Sequence, residues 1–241
     1  MRRLHRPALK FESRQDLFAR QKNVTSAKSG REHWDRYRRS KPAKEVISAL
    51  EAMAGTRQRC AYCSDSYASD IDHYVPIARD HGRVFSWKNF LWVCTKCNRQ
   101  KGANFPVADT GEPLLVDPSR TDPWAHLTLD TATGFISPRY LESTFDPVGE
   151  FTLSVLPTIN HEGVAEGRAR VCRSLKKAIG SAATAPSSNQ AREDLLTLVR
   201  EDDVAVSRWY GYWEGSQEPE MVALRVASPK LWRRLLRACS Y

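Results

Sequence analysis

The chain has 241 residues, 41% hydrophobic and 27% charged, with 7 tryptophans. That is enough to bury a core as one large domain or two smaller ones, and it excludes a disordered, fibrous or low-complexity chain. The formal charge of +9 is uneven: residues 1–59 hold 16 Lys and Arg against 6 Asp and Glu, and the remainder is close to neutral. Such a segment suits a polyanion, or is a solvated basic face with no partner.

The opening residues, MRRLHRPALK, lead into no apolar run of signal-peptide length, and no stretch nears the roughly 20 apolar residues of a membrane span. The expectation is a cytoplasmic protein with no membrane contact. The first part reads as helical. Trp34 and Tyr37 stand three apart within 32–39, and Ser40-Lys41-Pro42 offers a helix start. Val46, Ile47, Leu50 and Met53 keep helical spacing, and Gly55 is a stop.

From Cys60 the elements shorten. Ile71, His73 and Val75 alternate, which predicts a strand over 70–77 that Pro76 ends. Residues 80–83 read as a loop, 87–93 as an extended lead into a second cysteine pair, and 95–102 as a short helix closed by Gly102. Further on, 126–130 and 134–138 flank a turn and predict a hairpin. Asn160 is a helix N-cap, with the helix running to about residue 179 and ended by Gly180. A connector over 181–188 precedes helices at 190–210 and 229–240. The fold class expected is α+β, divided as a basic helical region 1–59, a finger 60–106 and a mainly helical region 107–241.

Four of the 6 cysteines form two Cys-x-x-Cys pairs, Cys60/Cys63 and Cys94/Cys97. Two such turns complete a tetrahedral four-thiolate Zn2+ site with no open position, so the ion is a structural staple. Cys172 and Cys239 stand alone in helical segments and read as core residues with free thiols.

Between the pairs lies Asp70-Ile71-Asp72-His73-Tyr74-Val75-Pro76, then Asn89-Phe90, and the second pair opens into Asn98-Arg99-Gln100-Lys101-Gly102. This arrangement resembles the HNH endonucleases, the ββα-metal or His-Me finger family, in their zinc-stapled form. The resemblance covers about 45 residues and implies a metal-dependent hydrolase of DNA phosphodiester bonds. His73 would be the base that activates water, having the side chain whose ordinary pKa suits that task. Asp72 and Asn98 would hold a catalytic Mg2+ or Mn2+, Asn98 standing where the family has a terminal His. Asn89 would order the loop and help hold the base, and Lys101 would touch phosphate. Asp70 is a possible extra ligand, more simply a solvated loop acid. The alternative is a catalytically silent, zinc-stabilised nucleic-acid-binding or scaffolding module.

With that resemblance in place, the basic region becomes a flank of the cleft, and Arg2, Arg3, Arg36, Arg38 and Arg39 are expected to hold the backbone of duplex DNA. The flanks are similar to small stand-alone HNH proteins of bacterial anti-phage systems, nearest to the nuclease subunit of Septu (PtuB-like). That similarity implies a partner ATPase and antiviral defence, with a homo-oligomer possible. Trp209, Tyr210, Tyr212 and Trp213 crowd together and read as packing rather than as a stacking surface.

Overall fold

The computed structural model describes residues 1–239, and no helix in it is long and apolar enough to cross a membrane. An extended arm, residues 1–10, leads into α1 (Phe11–Gln21), α2 (Ala27–Tyr37) and α3 (Lys41–Ala54). The Ser26 hydroxyl accepts from the Ser29 N–H and caps α2, and Pro42 sits in the first turn of α3. Gly55 closes α3 at φ +82°, and the Arg2 guanidinium packs 3.0 Å from where a Cβ would stand. Only glycine leaves room for both. The same guanidinium donates to the Ala54 carbonyl.

The finger follows. Strand β1 (Asp70–His73) pairs antiparallel with β2 (Phe90–Val93), Asp70 facing Val93 and His73 facing Phe90, and α4 (Thr95–Lys101) runs directly on from β2. The strand stops at His73, short of the expected end, because the chain turns into the Asn89 carboxamide at Val75. The expected loop 80–83 is a 3-10 turn, His81–Arg83, capped by Asp80.

Beyond the finger, β3 (Leu127–Leu129) and β4 (Ile136–Pro138) form the expected hairpin. A second small hairpin, β5 (Tyr140–Leu141) with β6 (Thr144–Phe145), and α5 (Pro147–Val155) come next. Helices α6 (Glu162–Thr184), α7 (Asn189–Arg200), α8 (Val206–Tyr212), α9 (Pro219–Ala227) and α10 (Pro229–Ala238) pack together at the C-terminal end. Asn160 is not the cap of α6. Its carboxamide spans the Ile136 N–H and C=O, and the His161 ring caps the helix instead. Gly180 lies inside α6, so the expected connector shrinks to 185–188. The single helix expected over 190–210 is two, because Asp202 accepts from the Val204 and Ser207 N–H groups and turns the chain through Ala205 at φ 65°.

The fold is α+β, with a small two-stranded finger inside a largely helical chain. One hydrophobic cluster runs from Met1 and Leu4 through Tyr62, Phe90 and Leu91 to Leu195, Leu231 and Cys239, across the boundaries placed at 59 and 106. Cys172 and Cys239 are buried in it as free thiols. Trp209 and Tyr210 are buried too, edge to face at 5.2 Å, while Tyr212 is 45% exposed.

Candidate active site and metal centre

The two Cys-x-x-Cys turns meet. The sulfurs of Cys60, Cys63, Cys94 and Cys97 all lie within 4.8 Å of one another, and all four residues are buried. A tetrahedron with Zn–S arms of about 2.3 Å has edges of about 3.8 Å, so the cluster fits a zinc ion. The Cys97 N–H donates to the Cys94 sulfur at 3.5 Å, and the Ser64 N–H reaches back to the Cys60 carbonyl at 2.9 Å. Burial and the crowding of its neighbours hold the Cys60 thiol well above the ordinary thiol range. A cation is what turns such a dry sulfur cluster into thiolates. Four thiolates around a divalent ion leave a negative centre, and Arg168 of α6 is buried in the same molecule, where burial lowers its pKa to about 10. Its guanidinium is held by the carbonyls of Gly134 at 2.7 Å and Ile159 at 2.6 Å.

The residues of the Asp-His-Asn pattern converge next to this staple. His73 is buried, with its ring edge-on to Trp34 at 4.5 Å and to Phe90 at 5.3 Å. Its Nε2 donates to the Val84 carbonyl at 2.9 Å. A carbonyl only accepts, so Nε2 carries the proton and Nδ1 keeps a free lone pair. Burial lowers the His73 pKa to about 4, which keeps the ring neutral at pH 7 and able to accept a proton. Asn89 lies behind it. The carboxamide takes the Val75 N–H at 2.7 Å and donates to the Val75 carbonyl at 3.0 Å and the Arg83 carbonyl at 3.2 Å. It therefore ties the end of β1 to the loop that presents Val84 to His73.

On the other side of β1, α4 sets Asn98 and Lys101 one turn apart against Asp70 and Asp72, which are two apart on the strand. Asn98 Nδ2 donates to Asp70 Oδ2 at 3.3 Å. Asp70 is thus a strand residue orienting Asn98, not a loop acid. The Tyr62 hydroxyl donates to Asp72 at 2.7 Å, and Lys101 Nζ lies 3.1 Å from the same carboxylate and 2.7 Å from the His73 carbonyl. Burial raises the Asp72 pKa against the pull of Lys101 and Tyr62. Lys101 itself is fully buried, at 0% exposure. It is not placed to touch phosphate: its ammonium is spent on Asp72 and the strand backbone, which corrects the expectation for that residue.

A cleft of about 210 Å³ brings Asp72, His73 and Asn98 together, with Arg31 on its wall. An adjoining hollow of about 310 Å³ is lined by Trp34, Arg38, Arg39, Asp70 and Asn98. Helix α2 thus supplies cations and an aromatic wall to the site, because Gly30 lets it approach: a Cβ there would stand 2.9 Å from Val84. Arg31, Trp34 and Tyr62 were not singled out from the sequence, since nothing in the spacing of α2 or of the first cysteine turn shows what they face. Arg36 is exposed, its Nε on the Glu32 carbonyl. Arg2 and Arg3 do not reach this cleft. They line a separate cavity against α7 and α10, which corrects their assignment to the flank of the active site.

Comparison with known protein families matches residues 60–104 to HNH endonuclease. That segment, with its four-cysteine cluster and its paired strands and helix, is an HNH endonuclease domain set within the chain. No curated protein matches the chain.

Proposed function

We propose that the chain is a divalent-metal-dependent HNH endonuclease that hydrolyses phosphodiester bonds of DNA. The observation that carries the reading is the neutral His73, fixed through Nε2 on Val84 so that the Nδ1 lone pair stays free, in one cleft with Asn98 and Asp72. His73 takes the proton of the attacking water. A carboxylate offers about four acceptor sites, and Tyr62 and Lys101 do not exhaust those of Asp72. Asp72 and the Asn98 carboxamide oxygen form a hard oxygen donor set that suits Mg2+ or Mn2+. Such an ion, when bound, neutralises charge on the scissile phosphate and the leaving oxygen. Asp70 orients Asn98, Lys101 pairs with Asp72 and fixes its carboxylate, and Arg31, Arg38 and Arg39 steer the phosphate backbone into the cleft.

Activity in a bacterial anti-phage complex with an ATPase of the Septu kind is supported by the likeness of the flanking sequence, with the helices after residue 140 serving as the docking platform. The division into a basic region 1–59, a finger 60–106 and a C-terminal platform 107–241 belongs to the same reading.

Supercoiled plasmid, incubated with the zinc-loaded full chain and Mg2+ or Mn2+, with and without a candidate partner ATPase, tests the chemistry. His73→Ala should cut at least about a hundredfold more slowly, while retaining its zinc. Equal cleavage by both proteins removes His73 as the base, and no cleavage under any of these conditions favours the silent binding module.

A further inference from the structure

A second concavity shares no residue with the finger's cleft or its adjoining hollow. It encloses about 560 Å³, inside the ~300–1,000 Å³ span of small-ligand sites. Arginines from four segments reach it: Arg2 and Arg3 from the N-terminal arm, Arg200 from α7, Arg208 from α8, and Arg234 and Arg237 from α10. Its floor is closed by the buried residues Leu196, Val199 and Ala205.

Among the described residues, the charges do not balance within the cavity. Arg208 is paired with Asp122 at 2.6 Å and Arg234 with Glu193 at 3.1 Å. Arg2 is engaged with the Ala54 carbonyl. Asp202 shares the wall but is committed to the N–H groups of Val204 and Ser207. Arg3, Arg200 and Arg237 are exposed and have no hydrogen-bond or ion-pair partner among the described residues. Three unneutralised guanidiniums brought to one concavity by three segments repel one another, and low-dielectric walls concentrate their field. A convex, solvated arginine surface would let them spread apart.

Guanidinium forks match the oxygens of phosphate. We infer that this cavity binds the phosphate groups of a nucleotide through Arg3, Arg200 and Arg237. A free nucleotide and the phosphorylated end of a nucleic acid share that chemistry. The inference stands apart from the nuclease reading, because none of its residues belongs to the finger's cleft.

Fluorescence anisotropy with two probes tests it, using the full chain carrying His73→Ala so that no probe is cut. One probe is a fluorescent ATP, the other a labelled, 5′-phosphorylated single-stranded dodecamer. Adding Arg3→Ala, Arg200→Ala and Arg237→Ala together should weaken binding at least about tenfold and lower the salt slope for the dodecamer by about 2. Since the three side chains are exposed, the thermal unfolding midpoint should stay in place. Binding of ATP identifies a free nucleotide as the occupant, and binding of the dodecamer alone identifies a nucleic-acid end. Failure of both probes to bind below about 1 mM, or unchanged affinity in the triple variant, overturns the proposal. So does an equal loss on replacing Arg31 and Arg39, since that places binding in the finger's cleft.

Discussion

The least expected residue of the finger is Lys101. An exposed lysine on a short basic helix is a natural phosphate contact, and sequence offers no sign that this one is buried. The structure pairs it with Asp72 at 0% and 5% side-chain exposure. Two buried charges are tolerable only together, since removing either leaves the other desolvated and alone. Lys101→Met should therefore cost about 3–5 kcal/mol in urea unfolding. A phosphate contact behaves differently: its loss leaves stability unchanged and only flattens the salt dependence of DNA binding. His73, Asp72 and Asn98 are legible as candidates because a short pattern lies between two cysteine pairs, and directly after the second, whose spacing sets its frame. Trp34, Arg31 and Tyr62 were not, because their place in the site comes from how α2 and the first cysteine turn pack. That information is tertiary, and no local spacing carries it.

Among the elements, α2, α3, α4, β2 and the β3–β4 hairpin follow from local signals: a serine cap, a proline in the first turn, a glycine stop, alternating apolar residues. The errors have equally local causes. Gly180 reads as a helix end, but it has open space around it and lies within α6. The turn between β5 and β6 is made by Glu142 at φ 45° with no glycine, so its sequence carries no hairpin mark. Helix α9 begins on Pro219, two residues after the 3-10 turn Glu214–Gln217, and has no side-chain cap to announce it. Two glycines turn these differences into an experiment. A Cβ on Gly134 would stand 1.9 Å from the Ala165 carbonyl oxygen at φ +75°, so Gly134→Ala pushes β4's turn away from α6. It should destabilise by about 2–4 kcal/mol. Gly180→Ala should stabilise by about 0.5–1 kcal/mol, as expected within a helix. A destabilising Gly180→Ala would restore that residue as a helix stop, and denaturant unfolding of both variants reads the signs directly.

Over the whole molecule the zinc cluster is the point where the regions named from the sequence depend on one another. The arm packs Met1 into the same core as Cys60 and Cys63, Arg6 donates to the Trp87 and Phe90 carbonyls at the head of β2, and α6 buries Cys172 and Leu175 in that core too. Had the finger been an independent bead on a helical chain, removing its metal would melt a small unit and leave the helices standing. Here the core is shared, so the metal's binding energy is stability for the chain as a unit. Stripping zinc with a strong chelator at neutral pH should lower the melting temperature of the full chain in a single transition, with helical circular dichroism lost in step. Cys94→Ser should do the same without chelator, and added Zn2+ should restore the first protein but not the second. Metal analysis should give one zinc per chain before stripping, as one closed four-thiolate site requires. Two separate transitions, with most of the helical signal surviving the first, would show that the finger folds apart from α6 to α10. That outcome would return the chain to the segmented organisation read from its charge and composition.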